Sequence, residues 1–194
     1  MKKLVIQLAL FTMSFLSCYS QTANDNLGVP GPIVYENIEY NLAWSAIPAK
    51  HYYKQEYLAA GSDTKHFKNM LLLEAVEGDF TILDIIKIKL EELKERQKKD
   101  PVVNFKLFNN PDQSEYVLDF IVSEGKQRIS TVEWDAYRYK LFVDSSGHKG
   151  VQLFGVCIRE TEDVTSFLNS LKDIRKKEIT AIEEFSIPFI QTRN

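Results

Sequence analysis

Cysteine is almost missing from this chain: Cys18 and Cys157 are the two in 194 residues. Once an N-terminal signal is removed, Cys157 has no partner within the chain, so no internal disulfide is available and the core alone must hold the fold. Histidine is as sparse. His51, His66 and His148 are scattered, with no i,i+4 pair and no His-Glu-x-x-His motif, which leaves helical zinc ligation unsupported. They read as solvated loop residues. There is no Gly-x-Ser-x-Gly elbow and no Gly-rich phosphate loop; Gly147-His148-Lys149-Gly150 is too short to be one. Neither sign of charge dominates. Lys+Arg number 24 and Asp+Glu 27, a net charge of −3, so a broad nucleic-acid footprint is not expected. Beyond residue 20 no apolar run approaches the roughly 20 residues that span a bilayer.

Hydrophobic residues make up 44% and aromatics 12%, enough to build a sizeable core in a single domain. Residues 1–20 read as a secretory signal peptide: Lys2 and Lys3, an apolar stretch from Leu4 to Leu16, then polar Ser17 to Gln21. Cleavage after Ser20 would put small residues, Ser20 and Cys18, in the peptidase pockets. Lipidation at Cys18 is the alternative, with Phe15 and Leu16 a poor match to a lipobox. The mature protein is therefore expected to be secreted or periplasmic, or else a lipoprotein anchored at Cys18. Residues 21–32, with Gly28, Pro30, Gly31 and Pro32, read as a flexible leader, and 33–194 as a single domain.

Period-two alternation in Ile38, Tyr40, Leu42 and Trp44 predicts a strand ending at Pro48. Tyr52–Leu58 and Met70–Val76 predict two more. Ile82, Ile85, Ile86, Leu90 and Leu93 recur at helical spacing within a helix over Phe80–Lys99, capped by Thr81 and stopped by Asp100-Pro101. Four strands are expected next, at Val102–Phe108, Tyr116–Ser123, Ile129–Val143 and Val151–Arg159, separated by short turn signals that favour antiparallel neighbours. A second helix, capped by Thr161, is expected over Glu162–Glu183. The central strands are apolar on both parities, as in a sheet covered on both faces. The expected fold class is α+β: a mostly antiparallel sheet of about six or seven strands with two long helices packed on it. The helices would lie one on each face, or both on one face with the N-terminal segment on the other.

The signal, the strand Tyr53-Lys54-Gln55-Glu56-Tyr57-Leu58 and the long C-terminal helix resemble the small secreted PsbP-like domains of bacteria, and the segments Val132 to Tyr139 and Gly150 to Gly155 also resemble uncharacterised exported bacterial proteins. That resemblance implies a PsbP-like sandwich. It also implies a non-enzymatic binding or assembly role, the plant member being an extrinsic photosystem II subunit. It carries no functional residue onto this chain.

Few residues point to chemistry. Cys157 sits mid-strand and reads as a small buried residue, not a nucleophile. Glu133 and Asp135 share a strand face, a spacing compatible with a carboxylate pair, but acids on a strand usually solvate it. Lysines from Lys87 to Lys99 interleave with Glu91, Glu92 and Glu95 and read as a solvated helix face. The aromatic strand residues are too many to be all core, and Trp44, Tyr53, Trp134 and Tyr137 form the candidate binding surface. The reading is an exported, non-enzymatic binding or assembly module using a sheet edge or an aromatic-lined groove. No catalytic residue, cofactor or metal is assigned. The alternatives are an envelope-acting hydrolase whose site is assembled from dispersed residues, or a carrier of a lipid or other small ligand. Finding His51 or His148 beside a buried carboxylate in a cleft would overturn the binding-module reading.

Overall fold

The computed structural model describes residues 23–125 and 128–193; the expected signal peptide, with Cys18, lies outside them. The strands are β1 (Ile33–Tyr35), β2 (Ile38–Ala49), β3 (Tyr52–Ala59), β4 (Asn69–Glu77), β5 (Asn104–Asn109), β6 (Glu115–Glu124), β7 (Thr131–Val143) and β8 (Lys149–Glu160), and the helices α1 (Ile82–Gln97) and α2 (Val164–Glu184). All eight strands join one sheet in the order β1-β2-β3-β4-β8-β7-β6-β5, and every pairing is antiparallel. Two four-strand meanders are thus joined at β4–β8. α1 is the crossover that carries the chain from the centre to the far edge.

This corrects the expectation of about six or seven strands in a PsbP-like sandwich. The fold is a single eight-stranded antiparallel sheet, curled as a half-barrel, with two helices. The strand that the sequence hid is β1. It is three residues long and follows a Pro/Gly-rich stretch. Its two-residue link to β2, Glu36-Asn37, has positive φ at both positions (48° and 63°), the backbone of a type I′ hairpin without the usual Asn-Gly signal. Leu27 and Val29, part of the stretch expected as a flexible leader, are buried on the sheet. The N–H groups of Asn26 and Leu27 donate to Gln55 Oε1 at 2.7 and 2.8 Å, and the Tyr57 hydroxyl donates to the Val29 carbonyl at 2.7 Å.

Helix starts follow local chemistry. Thr81 and Asp84 form a reciprocal capping box on α1. The expected cap of α2, Thr161, is displaced to Asp163, because Glu160 Oε1 accepts from the N–H groups of Thr161, Glu162 and Asp163 and holds that loop out of the helix. α1 buries Ile82, Ile86 and Leu93 with Leu118, Phe120 and Tyr139 on one face of the sheet. α2 buries Phe167 and Ile182 with Val117, Ile121 and Trp134 on the other. Among the described residues, no helix is long and apolar enough to cross a membrane.

The two faces are covered unequally. Eight strands about 4.8 Å apart make a sheet far wider than one helix of about 10 Å diameter. On the α2 face the rest is filled by Leu27, Val29, Ile33 and Tyr35 from the N-terminal side and by Ile187 and Ile190 from the C-terminal tail. The α1 face has no such addition over its β3–β4 side, where Lys54, Glu74 and Val76 are only half-buried.

Candidate functional site

The gap beside α1 is a groove of about 670 Å³, within the range of about 300–1,000 Å³ typical of small-molecule sites. Its floor is the sheet: Tyr52 and Lys54 of β3, Glu74 and Val76 of β4, Leu153 of β8, Tyr137 and Tyr139 of β7. Its wall is α1, through Ile85, Ile88 and Lys89, with Phe80 at the helix entry. Ile88 is 66% exposed and Phe80 43%, so the rim is apolar and open. Gly155 gives Tyr137 its place. The two residues are directly opposed across β7 and β8, and a Cβ at Gly155 would come within 2.9 Å of the Tyr137 ring.

The polar lining is ordered. The Tyr52 hydroxyl donates to Glu74 Oε2 at 2.6 Å. Lys54 Nζ lies 3.5 Å from Glu56 and 3.6 Å from Glu74. Burial opposes the Lys54 charge, yet Glu74 and Glu56 outweigh it and hold its pKa above the ordinary lysine value. Lys89 bonds Glu92 at 3.0 Å and reaches over the rings of Phe120 and Tyr137, 4.9 and 5.8 Å from their centroids. It is therefore a packed groove residue and not part of a solvated helix face. Burial raises the pKa of Tyr52, Tyr137 and Tyr139. All four shifts move a group further from neutrality, the reverse of what acid–base catalysis needs.

Behind Tyr137 on the same strand face lies Asp135, 1% exposed. Its Oδ1 has no hydrogen-bond partner, and burial, reinforced by Glu133, pushes its pKa up to about 8. Asp135 and Glu133 do share a face, but Asp135 does not solvate the strand; it is sealed beneath the α1 side of the sheet. Glu133 is instead paired with Arg159, whose Nε donates at 2.7 Å. Cys157, opposite Asp135 in the register, is buried, and burial followed by the Asp135 charge raises its thiol pKa well above the ordinary value. It is a protonated core residue with no nucleophilic character.

The sequence candidates are not brought together. Tyr137 lines the groove. Trp44 is 40% exposed and sits on β2, opposed to Glu56. Tyr53 and Trp134 are buried in the α2-side core, Trp134 with its indole N–H 3.4 Å from Asp119. They leave the proposed surface because the elements on the α2 face cover them, and the Trp134 indole finds Asp119 inside. Missed by the sequence reading were Lys54, Glu74, Lys89 and the roles of Tyr52 and Tyr139. The signal lay in β3, where Tyr53, Gln55 and Tyr57 alternate with Tyr52, Lys54 and Glu56, one parity buried and the other polar.

His51 and His148 are not free loop residues either. His51 Nδ1 lies 2.7 Å from Glu77, and His148 Nδ1 lies 3.0 Å from buried Asp144. Burial opposes the Asp144 charge, but the His148 and Ser146 N–H groups, the imidazole and the Thr192 hydroxyl outweigh it and bring its pKa to about 2. A histidine thus does sit beside a buried carboxylate, as a hydrolase requires. The relay does not follow, because Thr192 Oγ1 and Asp144 both meet the same ring nitrogen, Nδ1, at 3.0 Å. A catalytic triad needs its nucleophile on the other nitrogen. Neither histidine lines the α1 groove. Among the described residues, no group of three or more His, Cys, Asp or Glu is placed to hold a metal ion.

No curated protein and no solved structure matches the chain. A protein-family model matches residues 27–187, from buried Leu27 to Ile187 of the C-terminal tail, and so takes in all eight strands and both helices. The chain belongs to the family that this model describes.

Proposed function

We propose that the protein is an exported, non-enzymatic binding module that holds a small amphipathic ligand in the groove beside α1. Export rests on the signal-like pattern of residues 1–20. The observation that carries the binding role is the uncovered β3–β4 side of the α1 face, where aromatic, apolar and paired charged side chains line one open cavity. Such a mixture of apolar wall and few ordered polar groups suits a ligand held in one orientation. The groups of the groove are tuned away from reactivity, which favours binding over turnover.

Titration with the fluorescent amphiphile 8-anilinonaphthalene-1-sulfonate tests this. The native protein is expected to give saturable, single-site enhancement. Val76→Trp, which fills the floor, should remove it, and Ile88→Glu on the exposed rim should weaken it at least fivefold while leaving the unfolding transition unchanged. Absent or non-saturable enhancement, or enhancement indifferent to both substitutions, would contradict the proposal.

A further inference from the structure

The hydrogen-bonding groups of the groove are unequally used. Its carboxylates are all engaged: Glu74 accepts from Tyr52 at 2.6 Å, Glu92 from Lys89 at 3.0 Å, and Asp84 from the Thr81 N–H and hydroxyl at 2.9 and 2.7 Å. Its donors are not. Tyr139 is 1% exposed and lines the groove with Tyr137, the two rings 6.5 Å apart. Neither hydroxyl has a hydrogen-bond partner among the described residues, and neither is a sealed, unsatisfied group, so both are left to donate into the groove. Lys54 stands 3.5 Å or more from both of its acids, longer than the roughly 2.8 Å of a formed charge-assisted bond. Lys50, at the groove, makes no ion pair among the described residues. A ligand completing this set must bring acceptors. A cationic head has less to gain, because Lys89 already occupies the face of Tyr137.

We infer that the amphiphile held in this groove carries a carboxylate head, which accepts from the Tyr137 and Tyr139 hydroxyls and is balanced by Lys54. Its apolar tail lies along Ile85, Ile88 and Leu153. The inference rests on the groove being a ligand site, as proposed above. Burial raises the pKa of both tyrosines, so their hydroxyls stay protonated and donating at neutral pH, where the carboxylate is charged.

The test compares three monomeric ligands with the same tail, dodecanoate, dodecanol and dodecyltrimethylammonium, by calorimetric titration of the native protein and of the Tyr137→Phe/Tyr139→Phe double variant. Dodecanoate is expected to bind at least tenfold tighter than dodecyltrimethylammonium. The double variant, which keeps both rings, should lose at least tenfold for dodecanoate and little for dodecanol. Should that variant fail to fold, Lys54→Gln reads the same head group and should show the same selective loss. Equal or tighter binding of the ammonium compound, or dodecanoate binding unmoved by these substitutions, overturns the carboxylate assignment while leaving the groove a ligand site. Failure of all three ligands to bind overturns the groove itself.

Discussion

Phe154→Ala is expected to cost about 3–5 kcal/mol of unfolding free energy. The ring is fully buried on β8, at the centre of the sheet order. It stacks on Phe185 beyond the end of α2, with centroids 4.6 Å apart, and lies 6.0 Å from Tyr35 of β1. Its removal therefore loosens the central strand, the edge hairpin and the C-terminal helix together, and the surrounding β-sheet is too constrained to collapse into the space. Urea denaturation measures the effect as a lower midpoint at unchanged slope. A loss below about 1 kcal/mol would show that β8 does not occupy the centre of the core.

Asp135→Asn is expected to stabilise the protein increasingly as pH rises. In the unfolded chain this carboxyl has an ordinary pKa of about 3.9; in the fold burial and Glu133 raise it to about 8. Below the unfolded value both states are protonated and the side chain costs nothing electrostatically. Between the two values the unfolded state has lost a proton that the fold still holds, so stability falls with rising pH, and the fall ends above the folded pKa. An amide side chain cannot ionise. The variant should gain on the order of 2–5 kcal/mol relative to the native protein between about pH 4 and about pH 9. Any unmet hydrogen bond of the introduced amide adds a cost independent of pH. The slope of the difference with pH is thus the readout, measured by denaturation across that range. Parallel pH profiles would show that Asp135 is not a buried proton-binding group.

Long elements were legible because their patterns are strong. The i,i+3/i+4 apolar repeat from Ile82 to Leu93 places α1, and the both-parity apolar runs place β6 and β8 at doubly covered positions. β1 was not legible. Three residues cannot establish a period, and Glu36-Asn37 lacks the glycine that usually marks such a turn. The strand count, and with it the fold class, changed on that small element. The candidate site was legible only at Tyr137. Side-chain type placed Trp134 and Tyr53 with the aromatics at a wet surface, yet their surroundings are set by α2, Leu27 and Val29, elements distant in sequence. The groove itself is an omission, the part of one sheet face that a single helix is too narrow to cover, and no local run of residues encodes it. Asp135 shows the same limit. Strand parity put it on the face of Glu133, while its burial depends on the opposing β8 and on Tyr137 beside it.

The groove beside α1 is where the ligand is expected to be held. Two-dimensional heteronuclear NMR of the labelled protein, titrated with dodecanoate, tests it residue by residue. Saturable shifts confined to Tyr52, Lys54, Ile85, Ile88, Tyr137, Tyr139 and Leu153 are the predicted result. Shifts centred instead on the β5 edge at Phe108 and Asn109, or on the His51 and His148 end of the sheet, would contradict the account.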